Sequence, residues 1–326
     1  MIKSQISKII HSLAQLIKQK HMNQILVAFS GGQDSILLVY LLENFIKNNR
    51  ANKIKVSYIY IDHQWKTNSY EQIKHIIKYL KLTLNKIYIY QIKTNILSED
   101  ICRKYRGHII TQHAIEYKNE IIITGHNLTD KVETFIHHTI RGSSIESFNS
   151  LSIESKVKKN ITIFRPLINI DREAIYWICK KLYLPIWSDV TNYLFNIERN
   201  RIRQELVPYI KKYMSQNIEK NISYLINNYL YENDYIKQNV IKLYIQSIST
   251  NKIAINYILL KKQNIILQMR TIQLFCFHNF QIYISHNKIM NMIKKIRYII
   301  TQPITIYKEQ FFRFVTNKKW IYVILD

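Results

Sequence analysis

The sequence predicts an α/β fold: a parallel, doubly wound sheet over residues 1–210, then a smaller, mainly helical domain with terminal strands over residues 211–326. Three observations lead there. Apolar runs of strand length alternate with helix-length segments through the first part, the pattern of βαβ units. Glycine or aspartate follows the first, second and fourth of those runs, where open parallel sheets bind their ligands. Beyond residue 210 the character changes: glycine is absent, Pro303 is the one proline after Pro208, and Lys, Asn, Tyr and Ile dominate.

Each element has a local reason. Residues 3–20 place Ile6, Ile9, Ile10, Leu13, Leu16 and Ile17 on one stripe, a structural helix beside the first strand. It lacks arginine and its apolar stretch is broken by polar residues, so it does not read as a targeting segment. Ile25–Phe29 is a continuous apolar run, as expected for a strand covered on both faces. After a Ser-Gly-Gly turn, Ile36, Leu37, Val39, Tyr40 and Leu42 recur at helical spacing. Val56–Ile61 is a second strand, residues 69–82 a helix, Lys86–Ile92 a third strand and Glu99–Tyr117 a long helix. Glu120–His126 is the fourth strand, and Asn127 leads into a helix that Gly142 caps. Residues 143–160 are polar and expected as a loop over the site. Thr162–Phe164 is a short strand before Arg165-Pro166-Leu167, and Asp171 caps a helix reaching Leu182. Residues 187–192 form a turn, and the helix opened by Arg199 runs to Pro208. Helical patterning then dominates to Ile300 with a strand-like Ile253–Ile258; Ile304–Tyr307, Phe311–Val315 and Trp320–Leu325 read as strands.

The 47 Lys and Arg against 22 Asp and Glu leave a formal charge of +25, which calls for a polyanionic partner. No uninterrupted apolar run is long enough for a bilayer, so nucleic acid is expected and a membrane is not. Cys102, Cys179 and Cys276 lie far apart with no Cys-x-x-Cys, which excludes a zinc ribbon, an iron–sulfur site or a disulfide framework and fits a reducing compartment. Each is read as a small buried apolar residue. The bias to Ile, Asn, Lys and Tyr is what an AT-rich genome writes, and part of the charge follows from it. Average usage would give about twenty glycines in this length. The 5 present are therefore read as backbone requirements.

Several groups carry candidate chemistry. Ser30, Gly31, Gly32, Gln33, Asp34 and Ser35 join the first strand to a helix N-terminus, whose free N–H groups and dipole suit a phosphate; the alternative is a turn that only connects. No Gly-x-x-x-x-Gly-Lys-Ser/Thr loop is present. Asp62 and His63 close the second strand, where nucleotides bind, although His63 alone reads equally as an ordinary loop residue. Arg103 and Arg106 share a helix face, as a phosphate clamp or a solvated basic face. Asp130 and Glu133 share the first turn of their helix; they cap it, or bind an ammonium group or a magnesium ion. His137 and His138 are adjacent, point apart and are no ligand pair. Arg199, Arg201 and Arg203 form a phosphate site or an ordinary basic face. In the tail, lysines interleaved with tyrosines suit backbone charge plus base stacking; the alternative is a dimerisation or capping domain.

The turn of residues 30–35 resembles the pyrophosphate loop of the N-type ATP pyrophosphatases, which cleave ATP between the α and β phosphates. With the rest of the ordered set, the chain resembles the tRNA(Ile)-lysidine synthases over about residues 20–210. That set is Asp62-His63, the Arg103/Arg106 pair, the Gly-His…Asp…Glu-Thr…Arg-Gly block of 125–142, Arg165-Pro166-Leu167, Asp189-x-Thr-Asn192 and Arg199–Arg203. Departures from the family pattern are Gly107 after the second arginine, Thr129 and Lys131 around Asp130, and Val190 in place of proline.

The resemblance implies a sheet of the adenine-nucleotide α-hydrolase type, a catalytic domain over 1–210 and a tRNA-binding one over 211–326. It implies ATP and Mg²⁺ as cofactors, and a CAU-anticodon tRNA(Ile) and free L-lysine as partners, with a homodimer left open. Residues 30–35, Asp62 and His63 would bind ATP, with Asp34 on Mg²⁺ or the pyrophosphate. Asp34, Asp130, Glu133 and Arg203 would be catalytic, the acid pair holding lysine. Arg103, Arg106, Arg141, Arg199 and Arg201 would meet phosphate or tRNA. Other readings are a different adenylating tRNA enzyme such as a thiolase, or a non-catalytic RNA-binding module. The expected compartment is the plastid stroma with an organelle-encoded gene, the alternative the cytoplasm of a small-genome bacterium.

Overall fold

The structure, a computed structural model, describes residues 2–20, 24–48, 54–62, 69–92, 99–143, 151–158, 160–187, 195, 197–297, 303–309 and 312–325. His63 and Asp189–Asn192 lie outside them. The chain divides into two compact units, Met1–Asn227 and Asn228–Asp326. The composition changes near residue 211, earlier than this division, because residues up to Asn227 still pack on the first unit's helices.

The first unit begins with α1 (Ile2–Lys20), β1 (Gln24–Ala28), α2 (Gln33–Asn48), β2 (Lys55–Asp62) and α3 (Ser69–Lys81). It continues with β3 (Lys86–Gln91), α4 (Glu99–Glu116), β4 (Ile121–Thr124), α5 (Leu128–Ile140), β5 (Glu154–Lys158), β6 (Ile161–Phe164) and α6 (Arg172–Lys181). The sheet order is β3-β2-β1-β4-β6-β5. Every neighbouring pair is parallel except β5 with β6. Residue alternation sends successive side chains to two cores. Ile25, Val27, Tyr58, Ile121 and Ile123 meet α1, α2, α3 and α6, whereas Leu26, Ile59, Ile61 and Ile122 join Ala114 of α4 on the other face. The doubly wound expectation therefore holds, and the strand order reverses between β1 and β4, which opens a crevice at their carboxyl ends.

Two expectations need correction. The polar stretch 143–160 is not all loop: Glu154–Lys158 pairs antiparallel with β6 as the sheet edge. Nor does the helix opened by Arg199 stop at Pro208. It comprises α7 (Glu198–Arg201), a π-helical turn Ile202–Leu206 and α8 (Val207–Tyr213). Pro208 has no N–H to donate and sits at the start of α8, just after the widened turn, where it costs little.

α9 (Ile218–Ser247) runs from the first unit into the second. The second unit adds β7 (Ala254–Asn256), α10 (Tyr257–Lys261), α11 (Ile265–Phe280), α12 (His286–Arg297), β8 (Thr305–Lys308), β9 (Phe312–Asn317) and β10 (Trp320–Leu325). Its antiparallel sheet has the order β7-β10-β9-β8. Phe275, Ile293, Phe312, Phe314 and Ile321 build its core. The strand-like Ile253–Ile258 thus shortens to β7, because Asn256 caps α10 with its side chain and turns the chain into that helix. No described helix is long and apolar enough to cross a membrane.

Candidate active site

The site begins with the turn after β1. Gly31 has φ of +80°, and a Cβ there would sit 3.2 Å from Ile76. Only glycine suits both conditions. The turn is stitched from within: Ser35 Oγ donates to the Gly32 carbonyl at 2.9 Å and lies 3.2 Å from Ser30 Oγ. Outside groups hold the carbonyls: Gln72 Nε2 donates to Ser30 O at 3.1 Å, and the Trp187 amide to Gly31 O at 3.3 Å. The first-turn amides of α2 have no acceptors within their helix and are available to an anion.

From β4 comes the other wall. A Cβ on Gly125 would lie 3.2 Å from the Ser35 backbone nitrogen and 3.3 Å from the Asp34 carbonyl carbon, so glycine lets β4 press against the loop. His126, half-buried beside it in the chain, has Nδ1 2.8 Å from Thr124 Oγ1. Burial pushes its imidazole down to about 3; Asp130 works against this, while Arg106, Arg165 and Arg103 add to it. The ring is neutral at physiological pH. Asn127 caps α5: its Oδ1 accepts the Asp130 amide at 2.9 Å, and Asp130 Oδ2 accepts the Asn127 amide at 3.1 Å.

Asp34 faces this wall. Its Oδ2 is 3.3 Å from an Arg172 guanidinium nitrogen. Its Oδ1 and Nδ2 of Asn127 are buried and make no well-formed hydrogen bond, although the Asn127 side chain lies close enough to favour the charged carboxylate. Burial pushes the Asp34 carboxyl up to about 6, with Arg172 opposing and Asp130 reinforcing.

Deeper in, Glu133 is fully buried and spanned by two guanidiniums. Arg199 Nε donates to Oε2 at 2.9 Å; Arg203 donates to both oxygens, at 2.6 and 2.8 Å. Arg203 also reaches Asp130 Oδ1 at 3.0 Å, with Arg199 at 3.5 Å. Burial pushes Asp130 up, but Arg199 and Arg203, with the Asn127 amide, outweigh it and hold the carboxyl below its usual range. Burial would lower the Arg203 pKa, yet Glu133 and Asp130 keep it raised. Two acids and two arginines form a charge-matched cluster.

The expected residues therefore separate. Residues 30–35, Asp130, Glu133, Arg199 and Arg203 gather at the mouth of β1 and β4, and Asp62 closes β2, buried at the same edge of the sheet. Arg103 and Arg106 of α4 bring their charge to His126. Arg201 is exposed and pairs with Glu205 instead of the acids. Arg141 pairs with Glu198, which His137 also meets. Among the described residues no three His, Cys, Asp or Glu side chains gather as a metal site.

Comparison with known proteins agrees with this geometry. Residues 5–210 match the PP-loop domain family. A chloroplastic tRNA(Ile)-lysidine synthase of Gracilaria tenuistipitata var. liui is 44% identical, over 92% of this chain and 92% of that protein. The chain belongs to the tRNA(Ile)-lysidine synthase family. A chloroplastic lysidine synthase of Pyropia yezoensis is 32% identical over 92% of this chain and 90% of that protein. Among solved structures, a U34-tRNA thiolase of Methanococcus maripaludis with its [4Fe–4S] cluster superposes with TM-score 0.58 and 18% identity, covering 70% of this chain and 78% of that one. That likeness shows the fold, in keeping with the adenine-nucleotide sheet expected.

The lysidine synthase pattern leaves three neighbours of the site unassigned: Asn127, His126 as a chemical group, and Arg172. Arg172 carried one sequence signal. It is a basic residue in the first turn of a helix, where acids are favoured, and it stands between the acids Asp171 and Glu173. The family departures Thr129 and Lys131 point away from the crevice. Thr129 Oγ1 donates to Glu219 at 2.7 Å, and Lys131 Nζ donates to Ser223 and Asn227 at 3.1 and 3.2 Å.

Proposed function

We propose that the chain ligates lysine to C2 of the wobble cytidine of a CAU-anticodon tRNA(Ile), using ATP and passing through a cytidine adenylated on O2. The product lysidine changes the codon read from AUG to AUA. The observation that carries this is the convergence, at the β1/β4 switch point, of a phosphate-ready loop with a carboxylate–arginine cluster, in a chain so similar to lysidine synthases.

ATP would lie with its phosphates on the first-turn amides of α2 and on Ser30 and Ser35. Asp34 Oδ1, which accepts no well-formed hydrogen bond, is the oxygen that would hold Mg²⁺. When bound, that ion neutralises charge on the departing pyrophosphate. The geometry supports a division of labour in the acid pair. Glu133 is saturated by two guanidiniums and anchors them. Asp130, more loosely held and kept ionised by the same arginines, is the carboxylate to hold and orient the lysine amine. Arg203 and Arg199 would offset charge on the adenylate. The tRNA would be gripped through the basic helices of residues 211–326, with Arg103, Arg106, Arg141 and Arg201 on phosphates.

A thiolase reading finds little support in the cysteines. Cys179 packs 3.6 Å from the Gln33 carbonyl, but burial, with the charge of Asp34 adding, pushes its thiol up to about 12. Burial does the same to Cys276, and Cys102 is buried as well. Such thiols are poor nucleophiles. The plastid stroma, with an organelle-encoded gene, is the proposed location, supported by the chloroplastic relatives and by the AT-rich coding bias.

The test is lysine incorporation with radiolabelled lysine, ATP, Mg²⁺ and a CAU isoleucine tRNA transcript, beside an elongator methionine tRNA. Label on the isoleucine tRNA alone, lost in Asp34→Ala, is the expected result. Pyrophosphate release without label would point to another nucleophile; neither signal would leave the RNA-binding reading.

A further inference from the structure

We propose that Arg172 is the cation that receives the pyrophosphate arm of the nucleotide, and that Asp34 holds it in place until the nucleotide arrives. The inference rests on the reading of residues 30–35 as an ATP loop.

Four observations meet at this residue. The guanidinium lies 3.3 Å from Asp34 Oδ2, longer than the roughly 2.8 Å of a tight charge-assisted bond, so the pair is readily exchanged. The Arg172 side chain is about one third exposed (32%) rather than sealed in the core. Its backbone is pinned at both ends, the amide donating to Thr129 Oγ1 at 3.2 Å and the carbonyl accepting from Gln33 Nε2 at 3.0 Å. A fixed backbone with an exchangeable side chain is what a phosphate-capturing arginine needs. Finally, the residue stands in the first turn of α6, beside the Asp171 cap, at the end of the helix that favours anions.

Among the described residues Arg172 is the cation paired with Asp34. A cation on the other carboxylate oxygen, Oδ1, would compete for the charge of Asp34 and loosen the guanidinium held on Oδ2. The β and γ phosphates are the nearest anions that would then bind it, two oxygens at a time. The exchange keeps both charges matched before and after loading. It also gives the site selectivity for nucleotides that carry a pyrophosphate arm over those that do not.

Isothermal titration of the full chain with Mg²⁺-pyrophosphate, with the α,β-methylene analogue of ATP and with AMP separates these effects. Arg172→Gln is expected to weaken pyrophosphate and the analogue by about tenfold or more and to leave AMP within about twofold. Arg172→Lys keeps the charge and recovers part of the loss. Unchanged affinity for pyrophosphate in Arg172→Gln, an equal loss for AMP, or no recovery by lysine overturns the inference. If the unaltered chain binds neither pyrophosphate nor the analogue, the ATP-loop reading fails with it. Binding by the unaltered chain together with an unaffected variant overturns the role of Arg172 alone.

Discussion

Replacing Asp34 by asparagine should stabilise the protein while abolishing its activity. Burial raises the Asp34 carboxyl from the usual 3.8 to about 6, so the folded chain binds this proton more tightly than the unfolded chain. A group of this kind costs stability as pH rises from 3.8 through about 6, and the full cost stands above that window. Each pH unit is worth 1.36 kcal/mol, so the rise of a little over two units amounts to ~3 kcal/mol at neutral pH. Asparagine never bears the charge. The attraction of Arg172 is already contained in that raised value, so nothing further is subtracted. The net gain is ~3 kcal/mol, or about 6–12 °C in the melting temperature of a domain of this size. Thermal and urea unfolding of both proteins at several values between about pH 4 and pH 8 reads this directly. Near pH 4 the two should converge; above about pH 6.5 Asp34→Asn should be the more stable, yet transfer no lysine. An asparagine variant less stable at neutral pH, or a difference constant across the range, would refute the account of Asp34 as a strained, buried carboxylate kept for function.

Gly125→Ala places a methyl 3.2 Å from the Ser35 amide nitrogen, and backbone cannot swing away as a side chain would; the KM for ATP should rise about tenfold with the circular dichroism spectrum unchanged. Removing the buried partner in Glu133→Ala leaves Arg199 and Arg203 to share Asp130 alone, and urea unfolding should show a loss of about 3–5 kcal/mol, much of it restored by removing the surplus charge with Arg203→Met in the same chain. Thr129→Val strips the hydroxyl that joins Glu219 to the Arg172 amide; it should cost about 1–2 kcal/mol in unfolding, whereas Thr129→Ser should cost less than half of that.

The fold and the site differ in how much of each could be read from the residues. Helices and strands of the first unit were legible because each carries its own periodicity and its own stop: Asp171 caps α6 as the sequence suggests, and Gly142, at φ of +63°, follows Arg141, the C-cap of α5. β5 was not. Its Glu-Ser-Lys-Val-Lys composition is that of an edge strand, exposed and charged to keep other chains from adding to it, and such a strand looks like loop until its partner β6 is known. In the site, the loop and the acid pair are short-range patterns and stand out. The partner of Glu133 does not, because it lies sixty-six and seventy residues away. Even so, one part of that choice follows from helix geometry alone. Arg199 and Arg203 are four apart and share a face, while Arg201 falls between them on the other side.

Thr129 and Lys131 show why a departure from a family pattern is a weak guide when read on its own. They flank Asp130, and from the sequence they look like altered active-site residues. Their side chains instead turn to Glu219, Ser223 and Asn227 on α9, ninety or more residues away. Lys211 meets Glu219 as well, at 2.5 Å, so the buried acid is charge-matched. Burial lowers the Lys131 ammonium, which has neutral partners there, so this lysine is cheaper to keep buried than an ion with no hydrogen bonds at all. Changing an acid–acid–glutamine pattern to Thr-Asp-Lys thus alters how α9 is held against α5 and leaves the crevice face of Asp130 as it is. The one route back to the site is the Thr129 hydroxyl, which also takes the Arg172 amide. A change that begins as packing ends one hydrogen bond from the loop, and it is there, through Arg172 rather than through Asp130, that the departure would be felt in catalysis.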